Sequence, residues 1–152
     1  MKIDHVCVAV RSIEAASDRL CGLLGFVPKT GKVVNTRQKV TVQFLARSGS
    51  IDIKLIEPFG EDSPLWQSLR KGEGLHHICF MTDDTALAVK GLEERGMRVL
   101  APPAPGEAFD DGLIAFGYVG CGLNIELIDT DRRRDRIDTA VLDVGSDGDG
   151  HG

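Results

Sequence analysis

Apolar side chains recur in short, strand-like runs over residues 3–10, 39–46, 51–57, 75–81, 113–119 and 123–129. Between the first two runs, Ile13, Ala16, Leu20 and Leu24 recur at helical spacing over 13–24. Ser12 is placed to cap that helix and Gly25 to end it. Val33 and Val34 predict a short strand. Asp62-Ser63-Pro64 predicts a short helix running to Leu69, with Pro64 suited to its first turn, and Gly72-Glu73-Gly74 breaks it. After 75–81 the pattern restarts, with a helix over 85–95 ended by Gly96 and a strand over 97–100. Residues 101–106 hold Pro102, Pro103 and Pro105 and predict a loop. From Asp131 charge dominates (Arg132, Arg133 and Arg134), followed by Gly and Asp, which predicts a disordered tail over 131–152. The Asp/Gly ending lacks the terminal glutamate and flanking helices of a calcium loop.

The order is strand, helix, three strands, twice over. His5 and His77 lie 72 positions apart (77 − 5), and so do Lys54 and Glu126 (126 − 54). Cys7 with Cys79, Leu20 with Leu92, Val42 with Ile114, Phe44 with Phe116 and Ile53 with Ile125 repeat the offset. Two copies at so long a period predict a duplicated module, because a solenoid needs at least three units. The expected organisation is one domain over 1–130: module one over 1–58, a linker helix region over 59–74 and module two over 75–130.

Residues two apart on a strand share a face. Val6, Val8, Ile53, Leu55, Ile78, Phe80, Ile125 and Leu127 then form an apolar face for the helices. His5, Cys7, Asp52, Lys54, His77, Cys79, Asn124 and Glu126 share the opposite one. The same count adds Arg37, Lys39, Thr41 and Gln43 to it, and turns His76 away as a structural or rim histidine. An α+β fold follows: a curved mixed sheet around a cup, with the helices on the convex side. Two histidines and a carboxylate at duplicated positions make a donor set for a divalent metal with open positions for substrate. The same residues also read as two satisfied core histidines beside a Lys54–Glu126 salt bridge, and both readings stay open at this point.

Composition narrows the function classes. The chain has 152 residues, 42% hydrophobic and 27% charged, with a formal net charge of −5. A mildly acidic surface counts against nucleic acid and anionic membranes as partners. No apolar run reaches the length of a bilayer span, and no signal peptide is expected. The four cysteines (Cys7, Cys21, Cys79 and Cys121) form no Cys-x-x-Cys pair, so a zinc ribbon is not expected, and a cytoplasmic location is. Arg37 and Lys39 in the cup predict an anionic ligand, such as a carboxylate or phosphate.

Particular stretches resemble a known family. They are Asp4-His5-Val6-Cys7-Val8-Ala9-Val10, Leu24-Gly25-Phe26, Glu57-Pro58-Phe59-Gly60-Glu61-Asp62-Ser63-Pro64 and Gly72-Glu73-Gly74-Leu75-His76-His77-Ile78-Cys79-Phe80. Over residues 2–129 the chain resembles the vicinal oxygen chelate superfamily of glyoxalase I, extradiol dioxygenases, fosfomycin and bleomycin resistance proteins and methylmalonyl-CoA epimerase. The last two stretches are most similar to the epimerase branch. The resemblance implies paired βαβββ modules, a homodimer, and a metal held at the positions of His5, Lys54, His77 and Glu126. This chain departs from the epimerase pattern twice. Lys54 stands where the pattern has glutamine or glutamate, and a charged ammonium has no lone pair to offer a metal. Arg37 stands where the pattern has a catalytic glutamate, and a guanidinium is no ordinary base. Both departures count against ordinary methylmalonyl-CoA epimerisation.

The expectation is an epimerase-like isomerase or lyase acting on a small anionic carbonyl compound or acyl thioester by enolate stabilisation. His5, His77 and Glu126 would hold a divalent cobalt, manganese, zinc, nickel or iron ion. Lys54 and Glu126 would serve catalysis, and Arg37, Lys39, Gln43 and Asn124 would bind substrate. Lys54 is either a neutral base beside the metal or a charged group paired with Glu126 in the metal's place. The alternatives are a metal-free binding protein of the resistance type and a non-haem iron dioxygenase using the same triad.

Overall fold

The computed structural model describes residues 1–137, and the part of the expected tail beyond them lies outside the described residues. The first module comprises β1 (Lys2–Ala9), α1 (Ile13–Leu24), β2 (Val27–Pro28), β3 (Val33–Asn35), β4 (Val40–Ala46) and β5 (Asp52–Pro58). The short helix α2 (Leu65–Arg70) leads to the second: β6 (Gly74–Met81), α3 (Thr85–Glu94), β7 (Arg98–Gly106), β8 (Gly112–Tyr118) and β9 (Asn124–Ile128). One 3₁₀ turn, Glu107–Phe109, joins β7 to β8. Local chemistry sets the helix ends. Ser12 Oγ accepts from the Ala15 N–H, and Gly25 closes α1 with φ of 72°, a conformation that a side chain strains. The Asp84 carboxylate caps α3 in the same way.

The strands form a single sheet in the order β2-β4-β5-β1-β6-β9-β8-β7, with β3 also paired to β4. The modules meet where β1 runs antiparallel to β6, with Val6 opposite Ile78, Cys7 opposite His77 and His5 opposite Cys79. Moving each residue of these pairs by the 72-residue offset returns the same set of pairs. The outer neighbours obey it too. β5 runs parallel to β1 with Lys54 beside Cys7, and β9 runs parallel to β6 with Glu126 beside Cys79. The repeat in the sequence is therefore a pseudo-twofold axis through the centre of the sheet.

The sheet is curved and carries an apolar layer on each side. Ile13 of α1 packs with Phe26, Leu45 and Leu55. Val89 of α3 packs with Ala115, Ile125 and Leu127. The concave side holds Cys7, Val42, Phe44, Ile56, Cys79, Ile114 and Ile128, and is closed by Phe109 and by Leu65 and Leu69 of α2. The ionisable residues of the cup thus sit inside a hydrophobic layer.

Several sequence-based expectations need correction. Residues 101–106 continue β7 instead of looping. β7 is the outermost strand of the sheet, where a proline's missing N–H costs no ladder bond, and two register shifts absorb the irregularity. On β4 the faces are exchanged. Phe44 pairs with Lys54 and Val42 with Ile56, so they face the cup, whereas Thr41 and Gln43 face away. A turn at residues 36–39, ending with Lys39 at φ of 56°, breaks the alternation counted from Arg37. Residues 131–137 are not a free tail. The backbone N–H of Gly31 donates to Asp135, that of Arg134 to Ala108 and that of Ile137 to Lys29.

Phe109 closes the concave layer and is 1% exposed. Phe109→Ala is expected to lower the unfolding free energy by about 3–5 kcal/mol, read as an earlier urea midpoint at unchanged slope.

Candidate functional site

Four distant side chains meet on the concave face. Glu126 of β9 is fully buried, and so are His5 of β1, His77 of β6 and Lys54 of β5, at 0%, 2% and 3% exposure. His5 Nε2 lies 3.0 Å and His77 Nε2 3.2 Å from Glu126 Oε1. The Lys54 ammonium donates to both Glu126 oxygens at 3.3 Å. Burial alone would raise the Glu126 carboxyl. The Lys54 charge and the bonds from the two imidazoles outweigh it and hold Glu126 well below the usual carboxylate range. Burial likewise opposes a charged Lys54, and Glu126 reverses that and raises it. At neutral pH the pair is an ammonium and a carboxylate. Burial pushes His77 down to about 4, so its ring is neutral.

A second layer holds His5. Its Nδ1 lies 2.7 Å from Asp4 Oδ2, and the same oxygen accepts from Arg133 Nη2 at 2.5 Å. The Arg133 guanidinium lies over the rings of Phe44 and Phe109, 4.5 and 4.7 Å from their centroids. It is 5% exposed. Asp4 is drawn below its ordinary value because the His5 bond and the Arg133 charge outweigh its burial. The sequence reading missed Arg133. It sits in a run of three arginines that locally looks like solvated tail, and nothing in the run marks the middle one for burial.

Of the expected substrate-binding residues, Arg37 and Asn124 do line the cup. Together with Lys54 and His77 they border a cavity of about 450 Å³. Lys39 and Gln43 are not there. Lys39 pairs with Asp62 on the surface, and Gln43 donates to the Thr30 carbonyl at 3.1 Å. His76 was expected on the far face, yet it lines the cavity beside His77. The β1–β6 register slips between Cys7 and Val8, opposite this residue, and a bulge of that kind re-aims a side chain. His76 Nδ1 lies 2.8 Å from His77 Nδ1. A larger neighbouring cavity of about 920 Å³ shares Ser68, His76 and Asn124 with the first and is bordered by Arg70 and Lys71.

The donor atoms of His5, His77 and Glu126 lie within 4.8 Å of one another, compact enough for one metal ion. Ligands about 2.1 Å from a common ion, at right angles, stand about 3 Å apart, as each histidine nitrogen does from Glu126 Oε1. With its proton on Nδ1, toward Asp4, His5 would offer a metal the lone pair of Nε2 in place of an N–H to Glu126. Charge does not agree. Lys54 and Glu126 cancel, as do Arg133 and Asp4, so the cluster is balanced without an ion. A dication about 4 Å from an ammonium meets about 8 kcal/mol of repulsion at an effective dielectric of about 20. The triad suits a metal in shape, and the protonated Lys54 beside it does not. The iron-dioxygenase alternative uses the same three ligands and meets the same repulsion.

Comparison with known proteins gives a consistent family. The model of the Glyoxalase/Bleomycin resistance protein/Dioxygenase superfamily matches residues 4–116. The ethylmalonyl-CoA/methylmalonyl-CoA epimerase of Cereibacter sphaeroides is 35% identical over 107 residues, which cover 68% of this chain and 78% of that protein. The crystal structure of methylmalonyl-CoA epimerase from Mycobacterium tuberculosis superposes with a TM-score of 0.76 at 27% identity, over 85% of this chain and 87% of that one. A methylmalonyl-CoA epimerase in complex with methylmalonyl-CoA and NH4+ superposes with a TM-score of 0.75 at 28% identity, over 90% of this chain and 98% of that one.

The buried cluster makes the fold sensitive to acid. His77 titrates near 4 when folded and near its ordinary 6.5 when unfolded. As pH falls below 6.5 the unfolded chain takes up a proton that the native ring refuses, so stability declines until about pH 4. At about 1.4 kcal/mol per pH unit that loss reaches about 3 kcal/mol. Glu126 adds to it at lower pH, because its contribution is complete above 4.5 and fades as the folded carboxyl protonates. Urea melts between pH 7.5 and 4 should show a falling midpoint, and His77→Gln should flatten the upper part of that slope.

Proposed function

Because this chain belongs to the Glyoxalase/Bleomycin resistance protein/Dioxygenase superfamily, we propose that it is an epimerase-like isomerase or lyase acting on an acyl thioester or small anionic carbonyl compound through an enolate. The observation that carries this reading is the fixed, buried Lys54 ammonium at the wall of the inner cavity. Removing a proton beside a carbonyl places negative charge on the carbonyl oxygen. A cation already held in a water-poor site meets that charge without reorganising. Glu126 fixes the Lys54 side chain at both oxygens and is too weakly basic to take its proton.

The base is a different group. Among the described residues, none that lines the inner cavity is an aspartate or glutamate. Arg37, at the place of the epimerase glutamate, binds an anionic substrate group instead. His76 is the candidate: burial lowers its pKa, so its ring is neutral. In a relay that starts at the Glu126 carboxylate, His77 Nε2–H donates to Glu126 and His76 Nδ1–H donates to His77 Nδ1. The free Nε2 of His76 then takes the substrate proton.

Two features favour a long acyl thioester over a free acid. The outer cavity continues from the inner one and ends beside Arg70 and Lys71, cations suited to the phosphates of a coenzyme A carrier. Glu73, the one carboxylate among its described lining residues, accepts from the Arg11 backbone N–H. A solved epimerase neighbour holds methylmalonyl-CoA together with NH4+, and Lys54 supplies this chain with an ammonium of its own. A second reading, a superfamily member that binds such a compound without turnover, draws on the lack of a carboxylate among the described residues of the inner cavity.

Exchange of the α-proton in deuterium oxide, followed by mass spectrometry on methylmalonyl-CoA and a panel of short acyl-CoA compounds, separates the two. Wild-type protein is expected to incorporate deuterium into at least one of them. Lys54→Met should slow that exchange by about 100-fold or more, as for loss of an oxyanion-stabilising group. His76→Gln should slow it by a similar factor. Arg37→Ala should act mainly on KM. Exchange that proceeds unchanged in Lys54→Met sinks the role given to Lys54, and tight binding without exchange by wild-type protein establishes the second reading.

A further inference from the structure

We propose that the Lys54 ammonium is the resident cation of this site and that the wild-type chain holds no divalent metal ion at His5, His77 and Glu126. This goes beyond the enolate reading and stands whether or not the cavity turns over a substrate. Position is the first argument. Lys54 Nζ bridges both oxygens of Glu126, the residue that would be the anionic ligand of a metal. Oε1 also meets both imidazole nitrogens, so an incoming ion finds the carboxylate already engaged.

Confinement is the second. Lys54 is buried, and the face of Phe109 lies 5.2 Å from Nζ. A surface lysine would swing into water and admit the ion; this one would have to give up both Glu126 oxygens and leave that buried carboxylate without its counter-charge. The duplication is the third. The two modules place a lysine and a glutamate at equivalent positions, on the parallel neighbours of the two histidine strands. A cation is thereby built into one module to face the anion of the other. The ligand this predicts is an oxyanion or polarised carbonyl oxygen that approaches Lys54 directly, with Arg37 at the mouth for a second negative group.

The test is metal binding by the full chain, measured by calorimetric titration with cobalt(II) and zinc(II) chloride and by metal content after dialysis. Wild-type protein is expected to retain no stoichiometric ion and to bind none more tightly than about 1 mM. Lys54→Gln removes the charge and offers an amide oxygen. It should bind one cobalt(II) per chain at least about 100-fold more tightly, with a higher melting temperature and the absorption of histidine-bound cobalt. Adding His5→Ala should abolish that gain, which locates the ion. The proposal is overturned if wild-type protein binds one ion at micromolar concentration and loses it in His5→Ala. It is equally overturned if folded Lys54→Gln and folded Lys54→Met bind no better than wild type. Should neither variant fold, the wild-type titration decides alone: retention of an ion refutes the proposal and its absence supports it.

Discussion

A carboxylate sealed from water sets the terms for the middle of this molecule. Glu126 is fully buried, and an uncompensated charge there costs several kcal/mol. Lys54, His5 and His77 compensate it, each from a different strand. Those strands must therefore stay adjacent, in register and curved toward a common point. The β1–β6 join and its two parallel neighbours supply that arrangement. Loss of Lys54 leaves a buried carboxylate without its counter-charge, and loss of either histidine leaves it short of a contact, so fold and site are difficult to vary separately.

Duplication explains how so small a chain builds such a cluster. One module alone contributes one histidine and one charged residue to the concave face. Two modules related by a pseudo-twofold axis bring both histidines and both charged residues to the same place. The copies have diverged where divergence matters, because a pair of like charges at the axis would repel. Lysine in one copy and glutamate in the other make the pair attractive. The same divergence sets this chain apart in chemistry, since it puts a covalently tethered cation where the shape of the site would otherwise admit an ion.

Support for the cluster comes from outside the repeat. Arg133 follows the last strand, returns under Phe44 and Phe109, and grips Asp4, which in turn grips His5. His76 owes its place on the cavity to a slip in the central ladder. Arg133 lies beyond the last strand of the repeat, whereas His76 has its counterpart in Asp4, at the matching slip of the ladder, where a carboxylate contacts His5 as His76 contacts His77.

Much of this was legible in the sequence. Alternation located most of the strands, helical spacing with Ser12 and Gly25 located α1, and the 72-residue offset identified His5, Lys54, His77 and Glu126 as a set. These are short-range regularities plus one repeat, and they survive folding because each strand's neighbours inherit the same period. The offset also implied that Lys54 faces Glu126. What it left open was whether the pair excludes a metal or merely flanks one, since that depends on burial and on which oxygens the ammonium reaches. The placement of Lys39 and Gln43 failed because a turn between Arg37 and β4 resets which face each residue takes. The proline-rich stretch became a strand because it lies at the sheet edge, a fact of topology. Arg133 was invisible because its partner, Asp4, is 129 residues away. Periodicity reports the face a side chain takes within its own segment; only the three-dimensional structure decides which segments those faces meet, because that is fixed by strand pairing and burial across the whole chain.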